Sequence, residues 1–303
     1  MPEPRLTFPL KPKRRLVGLA YGVMHSTRRG TGSDIAGSRP YRPGDDVKAI
    51  DWPASAKLSR ARGSDEFIVR EHYAEEAPRV VVLCDRRPSM SLFPPGWPWL
   101  KKPEAVRVIL RLIGDSALAA QAYTGYLDHG SGASHWQPPK SQRTLHELGG
   151  DRPFRAPADA LARGLEELIR HRRDVPAGTF IFVVSDFLGP PSRDLWLRVL
   201  ARRWDVIPVV VQDPVWEQSF PDVSGIVMPF AEPETGRPGY AELSARESTE
   251  RRRANEARRA DLTRTLRGLD LEPVLVERSD LHGVFAAFLA WVDRRVYTRG
   301  QTQ

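Results

Sequence analysis

The sequence lacks the features that mark secreted, membrane-spanning and zinc-binding proteins. Its single cysteine, Cys84, excludes an intramolecular disulfide and favours a reducing compartment. The longest apolar run, residues 284–292, is far shorter than the roughly 18 residues that span a bilayer. The seven histidines show no paired ligand spacing, so no zinc site is expected. Basic residues and an apolar stretch near the N-terminus resemble a signal peptide, but no cleavage site follows. A cytoplasmic location is therefore expected.

Motifs of the common enzyme classes are also missing. The chain has no Gly-Lys-Ser/Thr phosphate loop, so we do not expect it to bind ATP itself. Ser185-Asp186 lacks the Gly-x-Ser-x-Gly turn of a hydrolase nucleophile. Cys84 sits inside an apolar segment, where a cysteine is usually a small buried hydrophobe. These absences favour a protein without enzymatic activity.

Basic residues are what the chain has in excess. Lysine and arginine number 46 against 38 acidic residues, which gives a net charge of +8. This balance permits contact with phosphates, acidic proteins or anionic membrane surfaces and selects none of them. The densest basic segment, 251–267, is either a solvated helix face or a surface for nucleic acid or another anionic partner. It lacks the interleaved aromatic residues that grip single strands.

The chain has two parts of different texture. Residues 1–78 are rich in Gly, Pro, Arg and Asp, which predicts a β-rich subdomain of short strands and turns without a long helix. From residue 79 to 297, apolar strands alternate with helices, and 298–303 form a tail. Continuous apolar strands between helices predict an α/β fold with a mostly parallel sheet covered on both faces. The clearest predicted elements are strands at 79–85 and 179–186 and helices at 103–123 and 244–268.

Two of the predicted strands end in aspartate. Asp85 follows "VVVLC" and Asp186 follows "FIFVVS". In a parallel sheet both carboxylates emerge at one edge, where they either hold a hard cation or cap the next turn. Arg86 and Arg87 come directly after Asp85, which places two permanent positive charges in the same loop.

Residues 37–57, "GSRPYRPGDDVKAIDWPASAK", resemble the signature of the bacterial family called domain of unknown function 58. The resemblance implies that residues 79–297 form a von Willebrand factor A-like domain of the Rossmann type. Because members of that family are commonly encoded beside MoxR-type AAA+ ATPases, it also implies an adaptor or partner of such an ATPase. The residues expected to form a signature surface or an inter-domain network are Arg39, Tyr41, Gly44, Asp45, Asp46, Asp51, Trp52 and Lys57.

The resemblance to A-domains also implies a metal-ion-dependent adhesion site, which this chain keeps only in part. It retains Asp85, Ser89 and Asp186, but Arg87 stands at the first serine position and Ala158 at the threonine position. A guanidinium about 4 Å from a cation repels it by several kcal/mol at an effective dielectric near 20. We therefore expect no cofactor, Mg²⁺ included.

Two competing hypotheses follow for this loop, and one expectation follows for the signature. Arg87, or failing that Arg86, is expected to replace the metal by pairing with Asp85 or Asp186. The competing hypothesis is a metal-dependent A-domain that captures a partner carboxylate through Asp85, Ser89 and Asp186. In the signature, we expect Trp52 to be largely buried, because the Ile-Asp-Trp sequence lies between two turn-rich pieces.

Overall fold

The computed structural model describes residues 5–13, 25–63, 66–75, 77–92, 100–130, 133–231 and 237–300. The chain divides into two compact units. One comprises residues 14–78, and the other comprises 1–13 together with 79–303.

The unit of residues 14–78 is built on an antiparallel pair of strands. Strands β1 (His25–Pro40) and β2 (Ile68–Glu75) pair with several irregularities of register. Between them lie a 3-10 turn (Val47–Ala49) and helix α1 (Trp52–Arg62). The helix differs from the sequence expectation of strands and turns alone. Asp51 caps its start and Gly63, in the left-handed conformation, ends it. Only Ser55 is buried, so the segment carries no apolar stripe that could have revealed the helix.

The other unit is an α/β domain around a six-stranded sheet of order β10-β7-β6-β3-β4-β5. Five strands are parallel, and the edge strand β5 runs antiparallel to β4. The mostly parallel, Rossmann-like fold predicted from the strand–helix alternation is confirmed. The strands are β3 (Arg79–Cys84), β4 (Tyr123–His129), β5 (Ser134–Gln137), β6 (Phe180–Ser185), β7 (Asp205–Val211) and β10 (Val274–Val276).

Two strands outside this sheet, β8 (Ile226–Ala231) and β9 (Pro238–Leu243), form an antiparallel hairpin. The helices of the unit are α2 (Lys102–Ala119), α3 (Leu145–Gly149), α4 (Ala160–Arg170), α5 (Arg193–Leu200), α6 (Ala245–Gly268) and α7 (Leu281–Gly300). Helix α7 thus continues into the segment predicted as a tail, and residues 301–303 lie outside the described residues. No helix in the described ranges is long and apolar enough to cross a membrane.

Alternate residues of the central strands pack into two apolar layers. Ile181 and Val183 of β6 lie in a core with leucines of α4, α5 and α6. Phe182, between them, packs instead near Phe288 of α7, with ring centroids 6.2 Å apart. This two-residue alternation places helices on both faces of the sheet.

The N-terminal segment packs with the α/β unit. Phe8 is buried, stacks on Phe288 at 4.5 Å between ring centroids, and meets Phe182 edge-on at 6.3 Å. Its backbone N–H also donates to Ser116 Oγ of α2 at 3.0 Å. Residues 5–13 therefore belong to the α/β unit, although the sequence pattern predicts them in the β-rich part of residues 1–78. One buried aromatic residue within a proline-rich stretch gave no periodic signal of this docking.

Candidate functional site

The candidate site lies at the edge of the main sheet where β3 and β6 end. These strands are parallel neighbours, and their pairing continues to Cys84 opposite Val184. Asp85 and Asp186 come directly after the paired segment, and both side chains are buried. The backbone N–H of Asp85 donates to Val184 O at 2.8 Å, which extends the pairing into the loop. The two carboxylates therefore enter one buried space from neighbouring strands.

Arg87 supplies the first positive charge of this space. Its Nη2 lies 2.6 Å from Asp85 Oδ2 and its Nε lies 2.9 Å from the same oxygen. The same Nη2 lies 3.4 Å from Asp186 Oδ1, so one guanidinium bridges the two aspartates. Ser185 Oγ donates to Asp85 Oδ2 at 2.7 Å, and the backbone N–H of Arg87 donates to Asp85 Oδ1 at 3.0 Å. The ion pair expected between Arg87 and these carboxylates is present.

Lys102, which was not predicted as a site residue from the sequence, supplies the second positive charge. Its side chain is only 2% exposed. Its Nζ donates to Asp186 Oδ2 at 3.2 Å, to the Ser89 carbonyl at 3.0 Å, and to the Glu217 carboxylate. Glu217 in turn accepts the backbone N–H of Asp213 at 2.8 Å. Two cations and three carboxylates thus form one buried cluster.

One sequence signal could have pointed to this lysine. Lys102 is the first residue of α2, where the helix dipole favours acidic side chains and disfavours basic ones. A lysine at that position needs a carboxylate to compensate. In this protein Asp186 and Glu217 provide the compensation, although both are distant in the sequence.

Burial and ion pairing act in opposite directions on the pKa values of the cluster. Burial raises the pKa of Asp186, but the Lys102 and Arg87 charges outweigh it, so the net pKa is lowered. Burial likewise lowers the pKa of Lys102, and the neighbouring carboxylates more than restore it. For Glu217, burial wins over the attraction of Lys102 and raises the pKa of the carboxyl group. The Asp186 carboxylate and both cations are therefore charged at neutral pH.

Arg86 does not reach this cluster by any ion pair found among the described residues. Its side chain lies in a separate buried network with two residues of β4. Its Nε is 3.3 Å from Asp128 Oδ2, and its Nη2 is 2.7 Å from Tyr126 Oη. Arg152 also binds Asp128, at 2.6 Å, and Phe154 stacks under the Arg86 guanidinium at 4.9 Å. The alternative assignment of Arg86 as the cation beside Asp85 and Asp186 is therefore wrong. Asp128, its carboxylate partner, lies on the neighbouring strand.

The residues at the strand ends do not fit a divalent cation. Asp85 binds Arg87 with both of its oxygens, and Asp186 binds Arg87 and Lys102 with one oxygen each. The side chain of Ser89 is turned to Asp186, as in a ligand set, but its carbonyl holds Lys102. A divalent cation placed here would meet a guanidinium and an ammonium, each repelling it by about 8 kcal/mol at 4 Å and an effective dielectric near 20.

The rest of the expected ligand set is also unsuited to a metal. Ala158 lies exposed in the loop before α4 and offers no hydroxyl. Across the described part of the chain, no group of three or more His, Cys, Asp or Glu side chains is arranged to hold a metal ion. At this edge of the sheet, the side-chain cations Arg87 and Lys102 balance the charges of the aspartates.

The signature residues of the other unit form short-range ion pairs. Arg39 binds Asp45 through two hydrogen bonds of 2.6 Å, and this pairing lowers the pKa of Asp45 to about 2. Gly44, at φ 103°, turns the chain in a conformation that favours glycine. Asp51 caps α1 and accepts from Arg70 Nε at 2.8 Å. These pairs lie within residues 14–78, where they fix the turn and the start of α1.

The remaining signature residues are arranged around the same turn. Asp46 caps the 3-10 turn by accepting the backbone N–H of Lys48 at 2.9 Å. The backbone N–H of Tyr41 donates to the Phe67 carbonyl at 2.8 Å, and Lys57 points from α1 into solvent.

Trp52 is not in a core, which corrects the expectation from the sequence. Its side chain is 58% exposed and meets Phe67, itself 43% exposed, edge to face with ring centroids 5.9 Å apart. The expected hydrogen bonding of Asp51 is present, since it caps the helix that Trp52 begins. The α1 helix turns Ser55 inward and leaves Trp52 at the surface.

The arginine-rich helix α6 is partly tied to its own unit. Arg252 Nε donates to the Phe220 carbonyl at 2.8 Å, and Arg258 Nη2 donates to the Glu217 carbonyl at 2.9 Å. Arg251 also lies over the Phe220 ring at 5.8 Å. These contacts attach α6 to the loop that carries Glu217, so several of its arginines have a structural role.

Comparison with known proteins identifies relatives over most of the chain. A family model described as "Protein of unknown function DUF58" matches residues 37–263. Uncharacterized proteins of Mycobacterium bovis and Mycobacterium tuberculosis are each 29% identical over 292 residues, covering 90% of this chain and 83% of the relative. An uncharacterized protein of Mycobacterium avium is 34% identical over 98 residues, covering 32% of this chain and 56% of the relative.

Among solved structures, this chain is similar to an aerotolerance-related membrane protein from Bacteroides fragilis that carries multiple mutations to serines. The similarity covers 64% of this chain and 99% of that protein, at 11% sequence identity and a TM-score of 0.35.

Proposed function

The chain belongs to the DUF58 family of proteins of unknown function, and on that premise we propose that it is a non-enzymatic protein-interaction module. Its α/β unit would be a von Willebrand factor A-like domain whose metal site has become a metal-independent cluster. The observation that carries the proposal is the pairing of both strand-end aspartates with buried side-chain cations, Arg87 and Lys102.

The proposal assigns Arg87 and Lys102 the electrostatic role that a metal has in an adhesion site. In such a site, positive charge holds together loops that would otherwise carry unbalanced carboxylates. Arg87 joins the ends of β3 and β6, and Lys102 joins α2 to the same point and to Glu217. Because both cations are part of the chain, the edge keeps one conformation whether or not divalent ions are present.

Burial of the cluster supports a role in organising a surface instead of catalysing a reaction. The side chains of Asp85, Asp186 and Lys102 are nearly inaccessible to solvent, and Arg87 is under a tenth exposed. A general acid, base or nucleophile must come within hydrogen-bond reach of a substrate. These groups already bond to one another.

The proposed partner is a MoxR-type AAA+ ATPase in the cytoplasm, which follows from the family resemblance of the signature. Capture from an extract of the native cell on the immobilised full chain, followed by mass spectrometry, tests it. We expect an AAA+ ATPase to be enriched over a column carrying an unrelated basic protein. Absence of any such ATPase at a bait concentration that recovers other proteins contradicts this choice of partner.

Metal independence is tested separately by calorimetry. We expect the wild-type protein to give no binding heat with millimolar Mg²⁺ or Mn²⁺, because Arg87 and Lys102 occupy the carboxylates. We also expect the same melting temperature in Mg²⁺ as in a chelator, since a ligand of the folded state would raise it. The double variant Arg87→Ser, Lys102→Ala removes both cations and is expected to gain affinity for Mg²⁺. Saturable binding to the wild-type protein would support the metal-dependent alternative.

A further inference from the structure

The unit of residues 14–78 has an exposed apolar patch at its surface. Trp52 and Phe67 contact each other there, and Val47, on the 3-10 turn before α1, is 57% exposed. Large apolar side chains that gather at a surface mark interaction sites more often than single ones do. Tryptophan is also among the residues that contribute most to binding energy in protein interfaces.

The exposed face of α1 places basic residues beside this patch. Residues four apart lie on one face of a helix, so Trp52, Ala56 and Arg60 form a row along α1. Pro53 and Lys57 form the next row, and all five residues are exposed. Ser55, in contrast, is buried, and its Oγ accepts the backbone N–H of Ile68. The face that α1 presents to solvent is therefore aromatic at one end and basic along its length.

The acidic side chains that flank this face in the sequence already have basic partners. Each accepts a hydrogen bond from an arginine of the same unit, at 2.6 to 3.1 Å. The pairs are Arg39–Asp45, Arg62–Glu66 and Arg70–Asp51.

The basic side chains of the face, in contrast, keep their charge uncompensated. Among the described residues, Lys48, Lys57 and Arg60 take part in no ion pair; Arg42 beside them donates its backbone N–H to Asp45 and adds positive charge near that carboxylate. Asp46, two residues before Lys48, has no ion pair among the described residues and caps the 3-10 turn. The face thus combines exposed aromatic side chains with basic side chains that have no ion pair among the described residues.

We propose that this face, defined by Val47, Trp52, Lys57, Arg60 and Phe67, docks an acidic protein segment that carries an aromatic or large apolar side chain. The proposal rests on the interaction-module function and names the chemistry of the partner. The apolar side chain would pack on Trp52 and Phe67, and the carboxylates would meet Lys57 and Arg60.

The arrangement of the rings favours a protein over a single-stranded nucleic acid. Nucleic-acid binders use successive rings on which bases stack in series. Trp52 and Phe67 instead meet each other at 78°, so they do not offer a series of parallel platforms. Val47, also exposed, has an aliphatic side chain on which no base would stack.

The test is selection from a random 12-residue peptide phage library on the full wild-type chain, followed by fluorescence polarisation with the selected peptides. We expect enrichment of peptides that combine several Asp or Glu residues with at least one aromatic or large apolar residue. Their affinity is expected to fall at least tenfold in Trp52→Ala and in the double variant Lys57→Glu, Arg60→Glu. All of these positions are exposed, and circular dichroism spectra should match the wild type.

The matched control is the double variant Arg253→Glu, Arg259→Glu, which makes the same charge change on exposed positions of α6. Peptide binding to this variant should stay within about twofold of the wild type. The attraction between a bound acidic peptide and exposed arginines far from its docking face is screened by salt. Failure to enrich any peptide, enrichment of non-acidic peptides, or equal losses in the control overturns the proposal. A 20-nucleotide oligo(dT) that binds more tightly than the selected peptides, and loses affinity in Trp52→Ala, assigns the face to nucleic acid.

The outcome is separable from that of the proposed function. If Trp52→Ala and the Lys57, Arg60 variant still capture the same proteins from the cell extract as the wild type, the interaction module stands and this face is not its docking site. If the selected peptides bind this face but no AAA+ ATPase is captured, the face stands and the choice of partner fails.

Discussion

At the scale of single residues, the protein uses its buried charges in pairs whose members come from distant parts of the chain. Arg87 is two residues from Asp85 but 99 from Asp186, and Lys102 is 115 residues from Glu217. Such pairs gain little over a well-packed apolar core, but breaking one leaves an uncompensated charge in a medium that solvates it poorly. Removing Lys102 is therefore expected to cost more stability than its ion pairs contribute.

The first prediction concerns this lysine. Lys102→Met keeps the length of the side chain and removes the charge beside Asp186 and Glu217. We expect the free energy of unfolding to fall by about 3 to 5 kcal/mol in urea titration. Lys101→Met is the matched control, because the neighbouring side chain is exposed and its replacement should cost no more than about 0.5 kcal/mol. Equal, small effects for the two variants would mean that Lys102 does not compensate the cluster.

Some of these residue roles were accessible from the sequence and others were not. Asp85 and Asp186 could be placed because each ends an apolar strand, and Arg87 was singled out because the resemblance to A-domains puts it at the first serine position of the loop. The partners of Lys102 could not be placed, since they come from another strand end and from the loop around Glu217. The exposure of Trp52 was missed because a large aromatic residue between turns is usually assumed to anchor a core.

At the scale of elements, the strand–helix alternation identified the parallel strands but not the antiparallel edge strand β5. Strands β3 and β6 are buried along nearly their whole length, so continuous apolar runs predict them. Strand β5 has four residues, none fully buried, and pairs only at the sheet edge. Strand β5 is positioned by its pairing with β4. That contact with another strand leaves no pattern in the sequence of β5 itself.

One element-scale prediction tests the tight packing between β4 and β5. A Cβ at Gly125 would lie 2.9 Å from the Gln137 carbonyl oxygen and 3.0 Å from Pro139, both parts of the backbone or a rigid ring. We expect Gly125→Ala to destabilise the protein by about 1 to 3 kcal/mol in urea titration. The strand would have to shift away from β5 to accept the methyl group.

The comparison variant is Gly114→Ala in α2. A Cβ there would meet Leu145 at an ordinary 3.6 Å, in the interior of a helix. Alanine is favoured over glycine in a helix by about 0.5 to 1 kcal/mol, so this variant should be neutral or slightly more stable. A similar loss of stability in both variants would show that the close approach at Gly125 is not the cause.

At the scale of the whole molecule, the two units use charge differently. The α/β unit buries cations against carboxylates in the Asp85–Asp186 cluster and in the Asp128 network. The unit of residues 14–78 keeps its ion pairs at the surface and leaves basic side chains such as Lys57 and Arg60 to solvent. The unit of residues 14–78 therefore leaves basic side chains available for contact, whereas in the α/β unit some cations are paired in the buried clusters and others, such as Arg253 and Arg259 of α6, are exposed.

The last prediction is the acid limit of folding. Although burial raises the pKa of Asp186, the charges of Lys102 and Arg87 lower it overall below the usual 3.8. A carboxyl group whose pKa is lowered by folding contributes stability that is present above its unfolded pKa. That contribution is lost as the pH falls through the folded-state pKa. We therefore expect the free energy of unfolding to decline below about pH 5, by about 1.4 kcal/mol per pH unit for each proton taken up on unfolding.

Glu217 opposes this decline in stability. Because burial raises its pKa above 4.5 in the folded protein, protonation of Glu217 stabilises the folded state at pH values just above those at which the contribution of Asp186 is lost. Urea titrations at a series of pH values from 3 to 7 measure the sum. Asp186→Asn is expected to lower stability at pH 7 and to flatten the acid decline, because one carboxylate that must be protonated on unfolding is gone. A variant profile that runs parallel to the wild type at all pH values would show that the Asp186 ion pairs with Lys102 and Arg87 are not what acid disrupts.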